Sequence, residues 1–362
     1  MQAAAATIKP VVSGKFISRL IAVDMDGTLL GEDGRVSPRN LAALRAARAA
    51  GIEIVIATGR RHSYALRVLR SLGLDHATVL VSSNGAVTRT LGAFAPESKP
   101  VATELIARAH LPHATALWLC AHLEEFRNAL VLTFDRVGAD GEDTRGALVV
   151  EHLEELHSSI GKWMAANEPY IARVNPIEDA LKPDAEPAIQ AMLCGSIERM
   201  ARAEARLLEH PHIGASGHPS GRSGSSMGGA SSPASPEKAG WLPQPTDAAP
   251  QHHLTLHRTE YPARDLSILD ILPAGCSKGA AILSLAAARK IDPAGILAIG
   301  DNWNDVSMLE IAGAAVLMDN APEDLKALAR DRGWHLCASH HHDGVAEAIE
   351  SALASAREPV PC

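Results

Sequence analysis

Aromatic residues are scarce in this chain, at 3% of the total. Its interior must therefore be filled by Ala, Leu, Val and Ile, from an apolar set that reaches 46%. No apolar run approaches the ~18 residues of a membrane-crossing helix, so no membrane partner is expected. Residues 1–16 hold an alanine run but no charged segment leading into a long apolar core. They read as a loose tail rather than an export signal. Cysteine is also sparse. Cys120, Cys194, Cys276, Cys337 and Cys362 include no C-x-x-C pair, which excludes the common metal and redox motifs. An odd number in a chain of 362 residues reads as free thiols in a reducing compartment, hence a cytoplasmic protein. The net charge of −8 gives no general attraction to nucleic acid or to an anionic membrane surface. A local positive site for an anionic ligand stays compatible with it. The sequence leaves the oligomeric state open.

What the chain does have is organised around Leu20–Leu30. Four apolar residues, Leu20 to Val23, run into Asp24-Met25-Asp26-Gly27-Thr28. The run is too short for a helix and reads as a buried strand. Gly27 ends it, because glycine accepts turn angles that other residues avoid. Two carboxylates at a strand end are either an Asx-type turn or a site. Like charges this close need a cation between them or a proton on one.

The neighbouring stretches repeat the pattern. Ser37-Pro38 reads as a helix N-cap followed by proline at the first helical position, with Gly51 as the stop. Ile52–Ala57 is a second strand, ending in Thr58-Gly59-Arg60, and a helix follows through Leu66, Leu69 and Leu72. Thr78–Val81 is a third strand, ending in Ser82-Ser83-Asn84-Gly85-Ala86. Late in the chain, Ser277–Lys290 reads as a helix, and Gly295–Ile299 as a strand ending in Gly300-Asp301-Asn302-Trp303-Asn304-Asp305. A strand over Ala314–Met318 and helices over Ala321–Arg330 and Val345–Ala356 close the chain. Alternating strands and helices at this pace build an α/β fold on a parallel, Rossmann-like sheet.

Between about residues 88 and 271 the pattern changes to α+β. Val87–Thr90 and Ala93–Ala95 are expected to form a hairpin. Helices are expected at Ala102–Arg108, Glu151–Met164 and Ser196–Leu208. Strands are expected at Leu130–Phe134, Ala147–Val150 and Ala188–Cys194, with Ser267–Leu272 closing the segment. Gly214–Pro250 is rich in Gly, Ser, Pro and Ala, has no Gly-Lys-[Ser/Thr], and reads as a disordered insert. The expected organisation is a tail over 1–16, a core over 17–87 and 272–357, and an inserted cap over 88–271.

In a parallel sheet the strand ends share one edge. Asp24, Asp26, Asp301 and Asp305 would meet there with Thr58, Asn84 and Asn304. Such a carboxylate cluster favours Mg²⁺, which takes hard oxygen ligands. Zinc is disfavoured, because no His or Cys lies in these motifs. A carboxylate can attack phosphorus, and phosphoryl transfer needs cations on its oxygens. Lys278, at a helix start, is the candidate cation; the bland alternative is a surface lysine.

These motifs together resemble the haloacid dehalogenase-like hydrolases, and most closely their Cof-type branch with the larger C2 cap. The family's four motifs stand in order at Asp24–Leu30, at Thr58, at Lys278-Gly279 and at Gly300–Leu309. Its Ser-Asn-Gly-Ala stands at Ser83–Ala86, its Asn-Ala at Asn320-Ala321, and its Asp-Gly-Val-Ala at Asp343–Ala346. The resemblance covers roughly residues 19–90 and 268–350. It implies a phosphatase in which Asp24 attacks phosphorus and Asp26 serves as general acid and base. Asp24, the Asp26 main-chain carbonyl and Asp301 would bind Mg²⁺. Thr58, Lys278, Asn304 and the Met25 amide would hold the phosphoryl group, with Asp305 behind, on the metal's waters or on Lys278. The implied substrate is a small phosphorylated metabolite, sugar phosphate-like. A sugar phosphomutase of the same superfamily and a non-catalytic binding protein are the alternatives. Arg60 is expected either to touch substrate or to tie down its loop. His340-His341-His342 and the histidines near the insert, His252, His253 and His257, are expected to be solvated rather than metal-bound.

Overall fold

The computed structural model describes residues 17–70, 78–91, 103–138, 141–152, 161–210, 213–215 and 253–355. Five strands open the chain: β1 (Leu20–Asp24), β2 (Glu53–Ala57), β3 (Val79–Ser82), β4 (Val87–Thr90) and β5 (Leu105–Arg108). Seven follow: β6 (Leu130–Phe134), β7 (Leu148–Val150), β8 (Ile171–Arg173), β9 (Ala188–Gly195), β10 (Ile213–Ala215), β11 (Leu254–Tyr261) and β12 (Leu266–Pro273). Three close it: β13 (Ile296–Gly300), β14 (Ala314–Met318) and β15 (His335–Cys337).

The first sheet has the order β15-β14-β13-β1-β2-β3-β4-β5. It is parallel from β15 to β3, and β4 and β5 add antiparallel. β1 lies between β2 and β13, so the chain leaves it toward both sides. That reversal is where open α/β sheets bind ligands, beyond the carboxyl ends of the strands. The register pairs Asp24 with Ala57 and Val23 with Ile299. Asp24, Thr58 and Asp301 therefore reach the same edge.

Alternation along β1 explains its two covered faces. Ile21 and Val23 pack with Ile54, Ile56 and Leu80 under the helices Pro38–Ala49, His62–Arg70 and Gly344–Ser355. Leu20 and Ala22 pack with Val55, Val81 and Ala298 under Lys278–Ala288, Val306–Ile311 and Glu323–Arg332. Continuous apolar strands suit a sheet buried on both sides. The Ser37 hydroxyl caps its helix by accepting from the Asn40 amide at 3.0 Å. Cys120, Cys194, Cys276 and Cys337 are buried and free.

The second sheet, β10-β11-β12-β9-β6-β7-β8, is antiparallel from β11 to β7. Its core gathers Phe126, Phe134, Leu132, Ala191, Leu269 and Ile271. Here several expectations need correction. Leu105–Arg108 is a strand, because β4 offers it a free edge that a four-residue apolar-leaning segment can fill either way. His257 is buried in β11, paired in register with Asp270, rather than solvated. The helix His113–His122 and strand β11 have no counterpart in the sequence pattern. Ala93–Ala95 of the expected hairpin, residues 153–160 and residues 216–252 of the insert lie outside the described residues.

The two sheets meet at specific contacts. The Asp143 amide donates to the Ser63 hydroxyl at 2.8 Å, and the Arg61 guanidinium bonds the Asp143 carboxylate. On β12, Asp270 reaches the loop after β3, where it accepts from Asn84 Nδ2 at 2.9 Å, and it also accepts from Gln190 Nε2 on β9. Burial raises the Asp270 pKa to about 7. A carboxyl whose pKa rises on folding stabilises the fold below its ordinary value of 3.8 and loses that contribution as pH climbs through about 7. Asp270→Asn should remove the slope, with the Gln190 amide turned over to accept from the new amide. Urea unfolding at roughly pH 4 and pH 8 should show the variant gaining on the parent at the higher pH. Between the two pKa values the gain should approach a slope of about 1.4 kcal/mol per pH step of one. Parallel pH dependences in the two proteins would contradict it.

Candidate active site

At the end of β1 the chain turns at Gly27, whose φ is +81°. A Cβ there would stand 2.4 Å from Asp301 Oδ2. Both conformation and space therefore require glycine. The turn lets Leu29 N–H return to the Asp24 carbonyl at 3.2 Å and Leu30 N–H to the Met25 carbonyl at 2.8 Å. Asp24 and Met25 are thereby fixed at the sheet edge, both buried.

Lys278 is the first residue of its helix, capped by the Ser277 hydroxyl, which accepts from the Ala280 amide at 3.1 Å. Its side chain is fully buried. The ammonium lies 2.5 Å from Asp24 Oδ1 and 2.7 Å from Asp305 Oδ1. Burial alone would push its pKa down, but the two carboxylates outweigh burial and hold it above the ordinary lysine value. The surface alternative for this lysine does not hold. A Cβ on the following Gly279 would come within 2.1 Å of the Ser307 carbonyl, so only glycine lets the helix approach this closely.

Asp305 supports two elements at once. Its Oδ2 accepts from the Asp301 and Asn302 amides, each at 3.0 Å, while Oδ1 meets Lys278. Asp305 thus meets Lys278, one of its two expected placements. Asp301 accepts from Thr28 Oγ1 at 2.9 Å and from Asn320 Nδ2 at 3.1 Å. Asn320 also donates to the Gly27 carbonyl at 2.8 Å. Oxygen atoms of Asp24, Asp301 and Asp305 all lie within 4.8 Å of one another. Burial, and then the Asp305 charge, raise the pKa of Asp24 well above its usual range. The same two causes raise Asp301 to about 7. Three crowded carboxylates share one ammonium, so the cluster has room in its charge balance for another cation. Its donors are hard oxygens, which fit Mg²⁺.

Thr58 is buried at the end of β2, and its hydroxyl accepts from the Arg60 amide at 3.0 Å. Asn304 reaches across to Asn84, donating from Nδ2 to Oδ1 at 3.3 Å. Asn84 has φ of +51°, which asparagine tolerates, and the Asn84-Gly85 turn brings it against the cap-side Asp270. Asp26 lies nearer solvent. Its Oδ2 accepts from Arg60 Nε at 2.6 Å, and the Arg60 guanidinium sits 3.9 Å over the Tyr64 ring. Both side chains of that pair are about two-fifths exposed. Every expected site residue is thus at one sheet edge.

Two residues near the edge were missed. Tyr261 ends β11, close enough to Asp26, Arg60, Asp270 and Asp301 for their charges to act on its hydroxyl. Asp270 is the other. Neither sits in a local motif, since the second sheet places them by long-range pairing.

Known proteins resemble this chain in sequence and in fold. The family model described as haloacid dehalogenase-like hydrolase matches residues 21–218 and 253–349. The chloroplastic endoribonuclease YBEY of Arabidopsis thaliana is 27% identical over 333 residues, which span 91% of this chain but only 45% of that protein. Phosphatase YwpJ of Bacillus subtilis is 27% identical over 330 residues, spanning 86% of this chain and 93% of that protein. Pyridoxal phosphate phosphatase YbhA of Escherichia coli is 26% identical over 313 residues, spanning 86% and 92%. Among solved structures, a haloacid dehalogenase-like hydrolase from B. subtilis superposes with a TM-score of 0.62 at 24% identity, covering 92% of this chain and 99% of that one.

Proposed function

The chain belongs to the haloacid dehalogenase-like hydrolases, and we propose that it is a Mg²⁺-dependent phosphatase of a small, sugar phosphate-like metabolite. The observation that carries this reading is the buried Lys278 ammonium held between Asp24 and Asp305, with Asp301 alongside. The whole-chain relatives named as phosphatases support it.

Asp24 is the nucleophile. Its Oδ1 is turned to Lys278, leaving Oδ2 for phosphorus. Attack forms an aspartyl-phosphate and releases the substrate's alcohol oxygen. Asp26 gives that oxygen a proton and later takes one from the attacking water. Arg60, at the mouth, exchanges Asp26 for the incoming phosphate. Thr58, Asn304 and the Met25 amide hold the phosphoryl oxygens, and Lys278 supplies positive charge beside them. Asp24, the Asp26 carbonyl and Asp301 would hold Mg²⁺, which supplies further charge neutralisation on the transferring group. Asp305 positions Lys278. The seven-stranded sheet, β6 to β12, serves as the cap, keeping bulk water from the first step.

The test is a panel of phosphorylated metabolites, read by inorganic phosphate release with and without Mg²⁺. Release from one or more small esters, lost on chelation, is expected. Isomerisation of a hexose phosphate without phosphate release would favour the mutase reading instead. Silence across the panel at every Mg²⁺ level would point to a binding protein.

A further inference from the structure

The three consecutive histidines near the carboxyl end take no part in the proposed chemistry. They form a short turn, His340–His342, that faces the loop after β1. His341 Nε2 lies 3.5 Å from Glu32 Oε1, and the His340 and His341 rings stand 4.0 Å apart. Ligand-capable atoms of Glu32, His340 and His341 all fall within 4.8 Å of one another. One further observation points to a ligand. Both ring nitrogens of His340 are closed to solvent and have no hydrogen-bond partner among the described residues. An imidazole left this way lacks the donor and acceptor that a satisfied core histidine finds.

We propose that Glu32, His340 and His341 form a second metal site, selective for a borderline divalent ion of the Zn²⁺ class. Two imidazoles and one carboxylate suit Zn²⁺, Co²⁺ or Ni²⁺ and not Mg²⁺, which prefers oxygen throughout. Ligand atoms around a tetrahedral zinc stand about 3.4 Å apart, given bonds of about 2.0–2.1 Å. Glu32 and His341 already stand 3.5 Å apart, and any further adjustment falls on their side chains, which are 81% and 51% exposed. Water fills the fourth position.

Such an ion joins two stretches about three hundred residues apart in sequence. It acts as a staple between the β1 loop and the carboxyl-terminal turn, and so stabilises the folded state by binding it alone. The turn is already tied inward, since the His340 amide donates to Asn320 Oδ1 at 3.1 Å, and Asn320 holds the Gly27 carbonyl and Asp301. The outer ion therefore sits one hydrogen-bonded residue from the carboxylate cluster, yet uses none of its ligands. The proposal stands independently of the phosphatase reading.

The experiment is a Zn²⁺ titration of the full-length protein in excess Mg²⁺, which keeps the carboxylate cluster occupied. Equilibrium dialysis measures binding and a thermal melt measures stabilisation. Wild type should bind Zn²⁺ at micromolar concentration and melt at higher temperature with it. Glu32→Gln and His341→Ala alter exposed side chains and should fold normally. Each should weaken that binding by at least about 100-fold, since even an outer-shell partner is worth about 10–100-fold. The melting increment should vanish with it. Unchanged affinity in both variants, or no micromolar binding in wild type, would overturn the site.

Discussion

Asp24→Asn is expected to abolish phosphate release, with kcat falling by at least about 10⁴-fold. The asparagine keeps the shape of the side chain and its oxygen can still accept from Lys278. It removes the one carboxylate oxygen that points away from the ammonium. Folding should survive the change. Burial first, and then the charges of Asp305 and Asp301, raise the Asp24 pKa, so the neutral amide relieves crowding while Lys278 keeps Asp305. A thermal melt equal to or above that of the parent, together with lost turnover, separates a missing nucleophile from a damaged fold. Rapid quench with a labelled ester should show phosphate on the parent protein and none on the variant. Full Mg²⁺-dependent turnover in Asp24→Asn would reject the covalent mechanism outright.

Lys278→Met should act in the opposite sense, through stability first. The side chain is fully buried with its ammonium within 2.7 Å of two carboxylates. Removing one partner of a buried ionic group leaves the others uncompensated, at about 3–5 kcal/mol. Methionine matches the length of the stem, so the loss is one of charge and not of packing. Urea unfolding should show that destabilisation, and added Mg²⁺ should recover part of it by returning positive charge to the cluster. Activity should stay absent even where Mg²⁺ restores the fold, because the charge proposed to stand beside the phosphoryl oxygens is gone. Stability indifferent to the substitution would mean that the carboxylates find another counter-charge.

The core was legible because its signals are local. Each strand buried on both faces reads as a short continuous apolar run, and each ends in a polar residue of the candidate site, as at Asp24, Thr58 and Asp301. The second sheet was less legible. β11, with the sequence Leu-Thr-Leu-His-Arg-Thr-Glu-Tyr, carries too many polar side chains to announce a strand, and pairing with β12 decides it. The helix His113–His122 buries Thr115 and Ala116 beside Leu119 and Cys120, so its inner face has little apolar contrast. Leu105–Arg108 is short enough to follow whichever neighbour claims it. Asp270 and Tyr261 became visible only once two distant segments were in contact. The turn at Gly27 illustrates the other extreme, since one glycine before a threonine marks both the end of the strand and the seat of Asp301.

The central placement of β1 also sets an order of assembly during synthesis. Its partner β2 leaves the ribosome soon after it, but β13, Lys278 and Asp305 come more than two hundred residues later. Until they emerge, Asp24 has no counter-ion and one edge of its strand is open. The strands from β6 to β12 form a contiguous stretch and can close their own sheet meanwhile. The inserted unit is thus finished before the host that surrounds it, and the nascent chain carries Asp24 without its lysine partner until the segment after β12 is made.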